Sequence, residues 1–220
     1  ERLKNLPGIS IQAEVEVFTT KDRGVSKQKL KSLHSSGPLL ITHWGLSGPC
    51  ILKLSAWGAR IFYELNHQFQ LRVNWLPHHN VESLKFLFQE LKSTQPRQIL
   101  YTHPIEALPK RFWQSLLDSV SIDQDLNWSN ISKSEMQSLA TELCAGEFHV
   151  NGKSTFKDEF VTAGGVDLKE IDFKTFQSKL HTNLFFIGEV LNIDAVTGGF
   201  NFQGAWTSAF ICAKHLGDQV

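Results

Sequence analysis

Residues 9–17, ISIQAEVEV, alternate apolar and polar side chains. Ile9, Ile11, Ala13, Val15 and Val17 fall on one face and Ser10, Gln12, Glu14 and Glu16 on the other, which predicts a half-buried antiparallel strand. Residues 63–76 carry a second, less regular alternation, with Leu65, Phe69, Leu71, Val73 and Trp75 on one face. Asn151-Gly152, between EFHV and KSTF, has the composition of a hairpin turn. In 77–147 the apolar period lengthens to that of helices. Asn80 is placed to cap a helix over 81–92 that carries Leu84, Leu87, Phe88 and Leu91 on one packing face. A second helix is expected over 109–119, with Pro109 in its first turn. A third follows the capping-box spacing Ser132-Lys-Ser-Glu135 and stops before Gly146. The pattern changes again near the end. Residues 183–188, NLFFIG, form a short apolar run that reads as a fully buried strand of a parallel sheet. A polar loop from Glu189 to Gly199 leads into an apolar helix over about 201–216, closed by Gly217. The expected architecture is multidomain, α+β and α/β: an antiparallel barrel-like module, three helices inserted into it, and a terminal strand–loop–helix.

Composition narrows the function classes. The 220 residues hold 22 Lys+Arg and 22 Asp+Glu, a net charge of zero, which argues against a dedicated nucleic-acid or anionic-membrane binder. A hydrophobic fraction of 41% and a charged fraction of 20% fit a soluble globular protein. No run approaches the roughly 18 apolar residues of a membrane span, and the first ten residues lack a signal-peptide core. Cys50, Cys144 and Cys212 make neither a disulfide framework nor a metal motif, and read as buried reduced thiols of a cytoplasmic protein. The histidines lack metal-ligand spacing, so no metal is expected. Lys21, Arg23, Lys27, Lys29 and Lys31 read as a solvated loop. The chain starts at Glu1 and its one methionine is Met136, so it is expected to be a piece of a longer protein.

Candidate chemistry concentrates in the last forty residues. Gly188 allows close approach of a ligand to the backbone, and the adjacent Glu189 carboxylate, at the expected strand edge, is suited to accepting bonds from sugar-like hydroxyls. Thr197-Gly198-Gly199 leaves free N–H groups at a helix start, a partial positive charge that favours an anion or an electron-rich carbonyl. A plain strand–turn–helix would use the same glycines. Farther upstream, a strand over 39–42 meets a helix starting at Pro49. There His43 and Ser47 are weak catalytic candidates; the favoured reading makes His43 a core histidine and leaves Ser47 or Gly48 to cap the helix.

The segments VTAGGVDLKEID (161–172), KTFQSK (174–179), LFFIGEVLNID (184–194) and TGGFNFQGAW (197–206) resemble the C-terminal signature of the BaiN/YhiN-like family, and LLITHWGLSGPCILKLS (39–55) resembles a second block of it. The family groups FAD-dependent, NAD(P)-linked oxidoreductases of the two-dinucleotide-binding kind. The resemblance implies a split FAD-binding domain with 163–220 as its C-terminal part, a barrel module from 1–75 and 147–162, and a helical module over 77–146. It implies that Glu189, with Gly188, binds the ribityl or phosphate region of FAD. Thr197, Gly198, Gly199, Phe200, Asn201 and Gln203 would face the flavin pyrimidine edge, and Gly164, Gly165 and Val166 would form a crossover beside it. The family's GxGxxG pyrophosphate loop is absent from this chain, which implies half of a cofactor site and little activity alone. Expected partners are a small organic substrate and NAD(P)H, with no nucleic acid and no membrane. The competing expectation is a non-catalytic interaction module.

Overall fold

The computed structural model describes residues 2–18, 33–153, 161–196 and 198–218. The chain divides into two compact units, one of residues 1–54 and 61–154, the other of 55–60 and 155–220.

The first unit is built on a five-stranded antiparallel sheet. In chain order its strands are β1 (Ser10–Phe18), β2 (His34–Ile41), β3 (Leu46–Ser47), β4 (Gln68–Asn74) and β5 (Gly146–Asn151), and their order in the sheet is β3-β2-β1-β4-β5. The alternation over 9–17 is realised: Ile11, Ala13, Val15 and Val17 are buried and their neighbours face outward. Val15 pairs with Ser35 on one side and Val73 on the other, so one register turns all three strands' apolar residues to the same core.

The four helices of this stretch are α1 (Pro49–Glu64), α2 (Val81–Thr94), α3 (Lys110–Ser119) and α4 (Lys133–Ala145). α2 and α4 begin at the expected caps. The Asn80 and Ser132 side chains accept from the backbone N–H groups of Ser83 and Glu135, and both boxes are closed reciprocally. Pro109 stands at the N-cap of α3. Leu84 and Phe88 of α2 are buried and Leu91 packs against them. Sheet and helices share one core, in which the Trp75 ring meets Phe112 of α3 edge-on at 4.8 Å and Phe148 of β5 at 5.9 Å.

Three expectations for this unit need correction. The alternation over 63–76 is strand only from Gln68. Propagation of α1 carries through Glu64, and Asn66 and His67, both at left-handed φ (51° and 52°), turn the chain before β4. His43 is exposed, not a core histidine. Ser47 belongs to β3 and caps nothing; Gly48 is the N-cap of α1, at φ 89°, where a Cβ would stand 2.9 Å from Leu40 N and Pro38 O. β5 ends at Asn151, where the hairpin turn is expected, but the strand expected beyond it, and so the hairpin, lies outside the described residues, like the basic run at Lys21–Lys31.

The second unit holds a short antiparallel pair, β6 (Ile171–Asp172) with β7 (Gln177–Ser178), and the helix α5 (Phe200–Gly217). Its core is Ile171, Phe176, Leu191 and Cys212, with Val166, Leu168, Phe185, Phe186 and Ile211 packed around them. The run 183–188 is not a buried parallel strand. Its backbone meets one isolated bridge, Phe185 to Gln177, and Leu184 and Ile187 are 41% and 43% exposed. A parallel strand is sustained by neighbours on both sides, and no such neighbours occur among the described residues. Gly217 is the last residue of α5 and Asp218 its C-cap. No helix among the described residues is long and apolar enough to cross a membrane.

Candidate functional site

The second unit brings together two stretches that are far apart in sequence, 164–166 and 188–201. Val166 N–H donates to Val190 O at 2.9 Å and Asn192 N–H donates to Val166 O at 3.1 Å, a single parallel bridge around Leu191. The contact requires glycine. Gly165 lies at φ 139°, and a Cβ there would fall 2.5 Å from Val190 O, 2.6 Å from Leu191 C and 2.7 Å from Asn192 N. All three are backbone atoms, so no side-chain rotation relieves the overlap. Gly164 N–H donates to both carboxylate oxygens of Asp194, at 3.1 and 3.3 Å. Arg60, from the part of α1 that belongs to this unit, donates to Asn192 Oδ1 at 2.5 Å and lies 3.9 Å from Asp194 Oδ2.

Gly188 opens a 3-10 turn, Gly188–Val190, which carries Glu189. Glu189 therefore projects from a turn and not from the edge of a strand. Gly188 N–H donates to the buried Ser208 hydroxyl at 2.9 Å, and that hydroxyl donates to Ala205 O, which ties the turn to α5. The Glu189 carboxylate is exposed and has no hydrogen bond or ion pair among the described residues.

α5 starts at Gly199, in the left-handed region at φ 97°, after Gly198 at φ 118°. A Cβ on either glycine would meet open space, so they serve the backbone turn and leave the mouth of the helix clear. Among the described residues no side chain caps this end, and no acidic residue lies in its first turn. The amides of Phe200, Asn201 and Phe202 thus present the positive end of the helix without a neutralising carboxylate. The Asn201 side chain is committed elsewhere: it accepts from Ala195 N–H at 2.9 Å and donates to Ala195 O at 3.0 Å. The Gln203 amide donates to Thr207 Oγ1 along the helix surface, and the Phe200 ring is 64% exposed. Thr197 lies outside the described residues.

The structure so gathers Gly164, Gly165, Val166, Gly188, Glu189, Gly198, Gly199, Phe200, Asn201 and Gln203 into one unit. His43 and Ser47 belong to the other. There Thr42 Oγ1 and Gly45 bond each other across the tight loop that carries His43. Sequence reasoning missed Arg60, Asp194 and Ser208. Asp194 closes the segment LFFIGEVLNID, but an Asp in a polar loop has no spacing signal of its own. The shifted titrations lie in the first unit. Burial pushes the Cys144 thiol up to about 11 and also raises Cys50, both of which are free thiols. No cluster of three metal-ligating side chains occurs among the described residues.

A family model described as HI0933-like protein barrel and H2TH domain matches residues 1–161. A ribosomal RNA dihydrouridine synthase of Haemophilus influenzae is 36% identical over 181 residues, 82% of this chain and 42% of that protein. The ribosomal RNA dihydrouridine synthase of Escherichia coli is 31% identical over 216 residues, 98% of this chain and 48% of that protein. A 3-dehydro-bile acid delta(4,6)-reductase of Clostridium scindens is 24% identical over 179 residues, 81% of this chain and 44% of that protein. The chain spans less than half the length of these relatives.

Proposed function

Since the chain belongs to the HI0933-like family, to which the BaiN/YhiN-like resemblance pointed, we propose that it forms part of a cytoplasmic flavoprotein oxidoreductase that uses FAD and is reduced by NAD(P)H. The observation that carries the reading is the mouth of α5: a helix start with no side-chain cap among the described residues and no acidic side chain in its first turn, opened by two glycines with free space beside them. These residues fit the electron-rich edge of a flavin. FAD, when bound, supplies a two-electron carrier between a nicotinamide and an organic acceptor. The amides at Phe200, Asn201 and Phe202 then stabilise negative charge that gathers on the ring during reduction. The free Glu189 carboxylate accepts hydrogen bonds from the polyol hydroxyls. In the crossover, Gly165 is packed on the 190–192 backbone, and Gly164, beside which a Cβ would meet nothing, leaves room for a flat ring.

The acceptor we infer is an activated carbon–carbon double bond. The relatives' names describe hydrogen addition across such a bond, in a uridine ring and in a steroid. The higher identity of the two ribosomal RNA dihydrouridine synthases supports uridine in ribosomal RNA as the substrate. This reading departs from the expectation, drawn from the zero net charge, of no nucleic-acid partner, and it requires a local basic surface for the phosphates. The bile-acid relative supports a small conjugated carbonyl compound as the alternative substrate. On either reading the chain supplies part of the cofactor site and has little activity by itself.

The test uses the full-length protein. It is expected to purify with flavin absorption, to be bleached by NADH or NADPH without oxygen, and to raise dihydrouridine in unmodified ribosomal RNA as read by mass spectrometry. A folded but colourless protein that takes up no FAD would favour the non-catalytic interaction module. A coloured protein inactive on RNA but active on a conjugated enone would favour the small-molecule alternative.

A further inference from the structure

Asp194 lies in the loop between the 3-10 turn and α5, a stretch with no regular structure. Among the described residues its carboxylate nonetheless makes the only side-chain hydrogen-bond contact to the crossover glycines, receiving Gly164 N–H on both oxygens. Gly164 is at φ 117°, a conformation other residues rarely adopt. Arg60 lies on the other side, bonded to Asn192 and 3.9 Å from Asp194. The Asp194 side chain is only 20% exposed, while that of Arg60 is 63% exposed. One residue farther on, Asn201 clamps Ala195 at both backbone groups. The loop is therefore held at three successive points: Asn192 to Val166, Asp194 to Gly164, and Ala195 to α5.

We infer that Asp194 is a positioning residue for the flavin site: its carboxylate, backed by Arg60, ties the Gly164–Gly165 crossover to the loop that aims the mouth of α5. This rests on the proposed flavoprotein function. A bond from a backbone N–H to a carboxylate is among the stronger ones available to a loop. Without it, the middle of the loop keeps only its two ends, and the crossover and helix mouth no longer move as one frame. Pre-organised amides lose their effect on a developing charge when their aim drifts.

The experiment compares wild type, Asp194→Ala and Asp194→Asn in the full-length protein. Asn keeps an acceptor oxygen for Gly164 N–H, whereas Ala does not. The Ala variant is expected to bind FAD about tenfold more weakly or worse, with a changed absorption band of the bound flavin, and the Asn variant to recover most of both. In protein stripped of flavin, hydrogen exchange at the Gly164 amide should accelerate in Ala and stay near wild type in Asn. Wild-type FAD affinity and spectrum in the Ala variant would overturn the inference, and so would an Asn variant as impaired as Ala. If the wild-type protein binds no flavin, the functional reading fails. Exchange at Gly164 still decides the tie in that case: unchanged exchange in Ala would refute it.

Discussion

Glu142 sits where burial and pairing pull its carboxyl in opposite directions. Burial raises it above the usual carboxylate range, and Arg2, bonded to Oε2 at 2.6 Å, offsets part of that rise. A carboxyl raised in the folded state holds its proton better there than in the unfolded chain. Its ionisation therefore costs stability above the folded value, and the cost fades as pH falls toward 4.5. Arg2→Ala removes the offset and raises the carboxyl further. The urea midpoint should then drop more at about pH 7.5 than at about pH 5. Equal drops would mean that Arg2 acts through its uncharged-partner contacts alone, the bond to Glu147 O and the packing over the Phe148 ring 4.1 Å away. Cys144 gives a second residue-scale expectation. A thiol pushed from 9.0 to about 11 carries roughly a hundredfold less thiolate at neutral pH, so alkylation of the native protein followed by peptide mapping should find it slow. The sequence marked Cys144 as a buried reduced thiol but held no sign of Arg2 or Glu142. Arg2 and Glu142 are 140 positions apart, and their pairing is a product of the fold.

Elements were most legible where the signal is local. Asn80 and Ser132 each announce a helix through bonds that close within four residues, and both boxes form as spaced. Ser132→Ala should cost about 1 kcal/mol in a denaturant titration, because the Glu135 N–H then loses its acceptor. A loss below a few tenths would show that the start of α4 is held without the Ser132 hydroxyl, by packing and by the backbone N–H of residue 132 on the Glu135 carboxylate. The run 183–188 shows the opposite case. Its apolar composition promised burial between parallel neighbours, yet strand structure depends on partners, and Phe185 meets only Gln177. The end of α1 failed for a related reason. Alternation over 63–67 does not reveal that a helix already under way will continue to Glu64.

The whole molecule is uneven in how it covers its apolar residues. The first unit buries Trp75, Trp113 and Trp128 completely. In the second, Phe202, Trp206 and Phe210 recur every fourth residue along α5 and are 61%, 67% and 70% exposed. An apolar stripe of this size on a water-facing helix favours association. The 220-residue chain expressed alone should bind a hydrophobic dye and sediment above monomer mass, and Trp206→Ser with Phe210→Ser should reduce both. A monomer without dye binding would show that the stripe is not available to solvent.

By itself the sequence determined the first strand, three helices of which two are capped by side chains, the family, and the glycine-rich entrance to the last helix. Each rests on bonds or periodicities spanning a few neighbouring residues. Only the tertiary structure decided that His43 is exposed, that Gly48 and not Ser47 starts α1, and that Asn201 is engaged with Ala195. It alone decided that Arg60 and Asp194 meet beside Gly164, 134 and 30 positions from one another and from that glycine. Such contacts carry no local pattern, because the energy that selects them comes from groups the chain brings together only after folding.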